Sequence, residues 1–264
     1  MVKEFGQQDW TIIFGGSSGL GLASARKLAQ HGMNMCIVHR DRRSDMKDIE
    51  RQFSEIRKNG ITLISFNRDM LQAGNKKDIL SELKMSMGGK GKIKCLLHSV
   101  AKGNLKPMNR EGEGSLTVSD IEITVHAMAV SLYDWFKLLF DEGMFSADAR
   151  VISFTSEGGR RPMKNYAAVS VAKAGLEAIT RNIALEFAPF GIRANCIQAG
   201  ITDTKSLRMI PGSEELKKFA ARRNPFRRLT SEEDVANAVY LLCKKEAAWI
   251  NGCVIPVDGG EHLS

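Results

Sequence analysis

The chain has 264 residues, of which 43% are apolar and 26% charged, and it carries a formal charge of +8. Those proportions are those of a soluble globular protein, with length for one large α/β domain or two small ones. No apolar run approaches the roughly 18 residues of a membrane span, and no aromatic-studded basic stripe suggests nucleic acid. Met1–Gly6 lacks the apolar core of a signal peptide, so a cytoplasmic protein is expected. The five cysteines form no CxxC pair or Cys/His cluster. They read as small buried residues, without disulfide or metal.

In chain order, Thr11–Phe14 reads as a strand, followed by a glycine loop and a helix over Leu20–Gln30. Met35–His39 is a second strand and Asp45–Lys58 an amphipathic helix. Ile61–Phe66, Cys95–His98 and Val151–Phe154 read as further strands, with helices over Lys77–Met87 and Ser119–Phe140 between them. Lys102–Ser115, rich in glycine, asparagine and charge, reads as a long loop. A helix carries Tyr166 and Lys173, and a strand follows at Ala194–Gln198. A basic segment, a helix at Ser231–Cys243 and a last strand at Cys253–Val257 complete the chain. Apolar strands each followed by a helix predict an α/β doubly wound Rossmann fold, a parallel sheet with helices on both faces. No composition shift marks a boundary, so one domain over 1–264 is expected, with a segment near 201–228 covering the substrate.

Gly15-Gly-Ser-Ser-Gly19-Leu-Gly21 follows the first strand and opens the first helix, the context that gives a glycine pattern meaning. Gly15 permits a tight turn, Gly19 lets backbone approach a pyrophosphate, and Gly21 lets the helix pack on the sheet. The helix N-terminus favours the anion. The second strand ends His39-Arg40-Asp41-Arg42-Arg43-Ser44. Basic residues there suit a 2′-phosphate, whereas a carboxylate suits the ribose 2′-OH. Arg40, Arg42 and Arg43 therefore point to NADPH over NADH, while Asp41 either takes the ribose itself or orients an arginine. Tyr166 and Lys173 are seven residues apart, two helical turns, so a single helix would place them on one face about 10.5 Å apart. A phenol and an ammonium so placed can serve a substrate oxygen and a cofactor sugar. On most helices such a pair is only a packed ring and a solvated amine.

With these residues in view the chain resembles the short-chain dehydrogenase/reductase superfamily over essentially its whole length. The glycine loop matches the family's Gly-x-x-x-Gly-x-Gly, and Val257-Asp258-Gly259-Gly260 matches the end of its last strand. The resemblance implies a dinucleotide held by Gly15, Ser17, Ser18, Gly19, Leu20 and Gly21, with Asp69 at the adenine and Met70 giving a backbone N–H. It extends the site to Ser99, Val100 and Ala101, to Lys173, and to Gly200, Ile201 and Thr204, the last two clamping the carboxamide.

The common members carry Tyr-x-x-x-Lys, but here that place is Val169. Tyr-x6-Lys is the mark of the enoyl-acyl-carrier-protein reductase branch, and His98-Ser-Val-Ala101, Gln198-Ala-Gly200 and the run Ala172–Ala178 point the same way. Ser156, seventeen before Lys173, keeps the interval of ordinary members. That mixture is similar to the NADPH-dependent enoyl reductases of the third type found in bacilli. His126 stands where ordinary members have an asparagine serving a proton relay.

The resemblance implies reduction of the trans-2 C=C of an enoyl thioester in fatty-acid synthesis. Tyr166 is then the donor to the thioester oxygen, Ser156 a second donor or merely a strand-end cap, and Lys173 the residue on the nicotinamide ribose. His98 and His126 read as structural. It also implies a homotetramer. From residue 205 to 228, Lys205, Arg208, Lys217, Lys218, Arg222, Arg223, Arg227 and Arg228 stand against Glu214 and Glu215. That surplus suits docking of acidic acyl carrier protein, or is a solvated helix face. Two other readings stay open: a 3-oxoacyl or other carbonyl reductase, opposed by Val169 and His126, and a non-catalytic nucleotide-binding relative, opposed by the intact loop with Tyr166 and Lys173.

Overall fold

The computed structural model describes residues 3–109 and 114–263. Seven parallel strands form one sheet: β1 (Asp9–Phe14), β2 (Asn34–His39), β3 (Leu63–Asn67), β4 (Lys92–His98), β5 (Phe145–Thr155), β6 (Ile192–Ala199) and β7 (Val254–Val257). Their order across the sheet is β3-β2-β1-β4-β5-β6-β7. The helices are α1 (Gly19–Gln30), α2 (Met46–Arg57), α3 (Ala73–Met87), α4 (Val118–Val125), α5 (Ser131–Asp141), α6 (Ala167–Glu186), α7 (Lys205–Arg208), α8 (Ser213–Arg223) and α9 (Glu232–Cys243).

Side chains alternate across a strand, and here both sides are buried. Trp10, Ile12 and Phe14 of β1 enter one core with Ile79 and Leu83 of α3, Trp135 of α5 and Leu176 of α6. Ile13 of β1 enters the other, with Leu28 of α1, Phe53 of α2 and Val239 of α9. The fold is the doubly wound Rossmann architecture expected. The strand order runs one way from β1 to β3 and the other way from β4 onward. Ligands in such sheets bind at that reversal, beyond the carboxyl ends of the strands.

Two expected elements differ. The helix read over Ser119–Phe140 is two helices joined by a π-helical turn at His126–Val130. The apolar pattern runs on through the turn, so periodicity alone hides it. Tyr166 is not inside a helix but is the N-cap of α6, with φ −113° and ψ 3°. The two-turn geometry expected for Tyr166 and Lys173 therefore starts one residue late. Part of the Lys102–Ser115 loop, residues 110–113, lies outside the described residues. Cys36, Cys95, Cys196 and Cys243 are buried as expected, but Cys253 is exposed. No helix among the described residues is long and apolar enough to cross a membrane.

Candidate active site

A cleft of about 990 Å³ opens at the carboxyl ends of the strands. Its floor is the turn from β1 to α1. Gly15 adopts φ +84°, and a Cβ there would lie 2.3 Å from the Ser99 carbonyl oxygen. A Cβ on Gly21 would lie 2.2 Å from the Gly15 carbonyl oxygen, so α1 meets the turn only if residue 21 is glycine. Ser18 caps α1 without a side-chain hydrogen bond, which leaves the first N–H groups of that helix turned to the cleft. Gly15, Ser17, Ser18, Gly19 and Leu20 line it, as do Ser99, Val100 and Ala101, Met70, and Gly200, Ile201 and Thr204. Gly21 does not line it; its place is the packing beneath.

At the end of β2 the three arginines separate. Arg40 donates to Asp69 Oδ2 at 2.8 Å and Arg42 lines the cleft. Arg43 does not: it begins a short 3-10 turn over Arg43–Asp45, outside the cleft. The expected three-arginine cup is therefore a pair. Asp69 holds Arg40 and also accepts from Leu71 N–H at 3.0 Å. Asp41 lies 2.9 Å from His39 Nδ1. That bond, joined by one from Ser17, holds its carboxyl below the usual range against the opposing effect of burial.

At the far side Tyr166 is packed by glycine. A Cβ on Gly158 would come within 2.6 Å of the Tyr166 ring, so bare backbone lies against it. Ser156 Oγ lies 3.4 Å from Tyr166 Oη. Burial pushes the Tyr166 phenol up, with the Ser156 bond opposing. Lys173 is buried on the first turns of α6 and donates to the Phe154 carbonyl at 2.6 Å. Burial pushes its ammonium down to about 8, while Cys196 and Glu177 pull the other way. Val169, at the place of the common tyrosine, is buried with Ala127, Met128 and Ala172 in an apolar cluster.

His98 is buried and driven down to about 3, by burial first and then by Lys173. Ser131 Oγ gives its hydrogen to the Ala127 carbonyl, so it accepts from His98 Nε2 at 2.8 Å. His98 is thus a neutral structural residue. His126 is exposed at the start of the π-helical turn, and Ala127 and Met128 face the cleft instead.

The covering segment differs most from expectation. Arg223, at the end of α8, is an ion-pair hub: it donates to Glu157, the residue after Ser156, and to Glu261 Oε1 at 2.9 Å. Glu261 Oε2 accepts from Ile201 N–H at 3.1 Å. Of the Ile201 backbone expected to clamp a carboxamide, the N–H is thus engaged and the carbonyl is left. Arg208 and Lys217 pair with Asp203, and Arg228 with Asp234. Of the eight cations expected to form a docking patch, Lys205, Lys218, Arg222 and Arg227 remain without an ion pair among the described residues. Glu157, Glu177 and Glu261 were missed by the sequence reading. Glu177 has a visible signal, its i+4 spacing from Lys173, whereas Glu261 is brought to Ile201 from 60 residues away.

A family model described as enoyl-(acyl carrier protein) reductase matches residues 15–262. The mouse peroxisomal 2,4-dienoyl-CoA reductase [(3E)-enoyl-CoA-producing] is 26% identical over 98% of this chain and 85% of its own. The enoyl-[acyl-carrier-protein] reductase (NADH) of Aquifex aeolicus VF5 superposes with TM-score 0.80 at 21% identity, over 98% of this chain and 99% of its own. A short-chain dehydrogenase from Burkholderia cenocepacia J2315, solved in complex with NADP, gives TM-score 0.80 at 22% identity, over 96% and 97%. These two structures share its fold.

Proposed function

This chain belongs to the short-chain dehydrogenase/reductase superfamily of oxidoreductases, in the family described as enoyl-(acyl carrier protein) reductase, and from that premise we propose that it reduces the trans-2 C=C of an enoyl thioester with NADPH. One observation carries the reading: buried apolar Val169 walls the place four residues before Lys173, and the phenol stands at Tyr166. The donor is displaced by three residues, toward an oxygen farther from the hydride-accepting carbon. In an enoyl thioester that oxygen lies three bonds beyond the β-carbon, against one bond for the oxygen of a 3-oxoacyl group. The mouse relative is likewise named for an unsaturated thioester.

The cleft fits a nicotinamide dinucleotide. The uncapped start of α1 and the glycine turn suit a pyrophosphate. When bound, the dinucleotide supplies the hydride that adds to the β-carbon. Tyr166, held neutral by burial, donates to the thioester oxygen as negative charge grows there. Lys173 has three N–H donors and spends one on Phe154, which leaves two for ribose hydroxyls. Ser156 is near enough to Tyr166 to orient its hydroxyl. The purified protein is expected to oxidise NADPH with a trans-2-enoyl thioester and to leave a 3-oxoacyl thioester nearly untouched. Faster turnover of the 3-oxoacyl substrate would overturn the assignment. The acyl carrier is proposed to be acidic acyl carrier protein, docking on Lys218, Arg222 and Arg227. In the same assay, raised salt should slow the carrier-protein substrate more than a small-thiol one; equal slowing rules the dock out.

The cofactor preference follows from Arg40 and Arg42. With Asp41 held by His39 and Ser17, these two arginines are the groups left at the β2 end for a 2′-phosphate. Arg40 is already shared with Asp69, so the gain is counted as one charge-assisted bond, about 1.5–3 kcal/mol. That corresponds to roughly ten- to a hundredfold in kcat/KM for NADPH over NADH. Arg42→Ala should erase most of it and Arg43→Ala little. Equal use of NADH by the parent protein would refute the preference.

A further inference from the structure

Among the described residues, two that are not glycine take a positive φ: Arg227, and Asn165 at +62°. Asn165 immediately precedes Tyr166. A Cβ disfavours this left-handed backbone, and asparagine tolerates it better than most residues. Strained backbone of this kind gathers where a reacting group has to be held. Asn165 is the third residue of a tight turn, closed by Tyr166 N–H on the Met163 carbonyl at 3.3 Å. Turns with positive φ at that position take glycine or asparagine there. Both ends of the turn pack on one glycine: a Cβ on Gly158 would lie 2.6 Å from the Tyr166 ring and 3.1 Å from Met163 Sδ. The Tyr166 carbonyl then accepts from Ser170 N–H at 2.8 Å, which starts α6, and Ser170 Oγ donates to the Gly158 carbonyl. Tyr166 is thus held by its own backbone on both sides, by the turn through its N–H and by the helix through its carbonyl. The Asn165 side chain makes no hydrogen bond among the described residues and does not line the cleft.

We infer that Asn165 is a positioning residue for Tyr166, whose left-handed backbone, and not its amide, sets the phenol against Gly158 and beside Ser156. Turning its φ from +62° to the usual value of about −60° would rotate the preceding loop against α6 by about 120°. Ser156 and Gly158 stand on that loop. The ring would lose the bare backbone it lies against, and its Oη would lose the Ser156 hydroxyl at 3.4 Å. A β-branched side chain at 165 resists positive φ most strongly and drives that rotation, whereas glycine takes either hand at no steric cost. The amide spends no bond, so its loss in a glycine variant removes nothing that holds the ring.

The inference rests on Tyr166 as the donor, but the place of its ring can be read without substrate. The chain has three tyrosines, so labelling with 3-fluorotyrosine gives three fluorine resonances, of which Tyr166→Phe identifies one. Asn165→Gly should leave that resonance in place. Asn165→Val should move it, while those of Tyr133 and Tyr240 stay and report an intact fold; Asn165→Ala, less strained, replaces a valine variant that fails to fold. In kinetics Asn165→Val should lower kcat for a trans-2-enoyl thioester about ten- to a hundredfold, the cost of misplacing a reacting group by about an ångström. The KM for the dinucleotide should hold, and Asn165→Gly should keep the parent rate. A Tyr166 resonance that stays put in the strained variant, or one displaced as far by glycine, would overturn the inference. Resonances that behave as expected in a protein that reduces no enoyl thioester would uphold it and sink the enoyl reading instead.

Discussion

Tyr166→Phe is expected to lower kcat for a trans-2-enoyl thioester by about a hundred- to a thousandfold, the cost of removing one preplaced donor to a developing oxyanion. The KM for the dinucleotide should stay as it was, because the phenol touches neither the glycine turn nor the β2 end. Phenylalanine keeps the ring that lies against Gly158, so the packing survives and only the hydroxyl is lost. Ser156 Oγ, 3.4 Å from the missing oxygen, is the hydroxyl left at the site. Steady-state kinetics with melting as a folding control decide the matter. A variant that turns over normally would remove Tyr166 from the reaction.

The second large effect lies in the cover. Arg223→Leu should destabilise the fold by about 3 kcal/mol, because it strands the carboxylate of Glu261, whose side chain is 3% exposed. For a chain of this length that is roughly 6–10 °C in Tm. It should also raise KM for the thioester, since α8 is no longer fastened to Glu157 beside Ser156. Adding Glu261→Gln removes the stranded charge, and part of the lost stability should return; the two changes are in contact and will not be additive. Calorimetric melting of both variants tests this. An unchanged Tm for Arg223→Leu would show that the hub contributes nothing.

Much of the fold was legible because it follows from short-range pattern. Short, nearly continuous apolar strands, each trailed by a helix, specify a parallel sheet covered on both sides. Gly15 and Gly21 mark the turn at the reversal because a Cβ there would meet backbone, and Gly19 because its φ is +56°. The Val169 and Tyr166 arrangement could be read by counting back from Lys173. What could not be read arises from contacts between distant residues. Nothing in the charge run of 205–228 tells which cations are free, since Arg228 pairs with Asp234 and Arg223 with Glu157 and Glu261. The π-helical turn at His126 leaves the apolar pattern intact while turning the histidine outward. Arg43 is three residues from Arg40, and only the short turn at Arg43–Asp45 shows that it leaves the cleft.

The stretch after β7 is a working part of the cleft. Asp258 accepts from the N–H groups of Gly260 and His262, which folds the chain back so that Glu261 reaches Ile201 and Arg223. The sheet has a chemical end and a quiet end, and this stretch belongs to the first. A deletion of 259–263 would disturb the seat of the cover while the sheet itself stayed whole. Such a protein would look sound by circular dichroism and still handle its substrate badly. The start of β1 at Asp9 lies at the opposite end of the strands, away from this stretch.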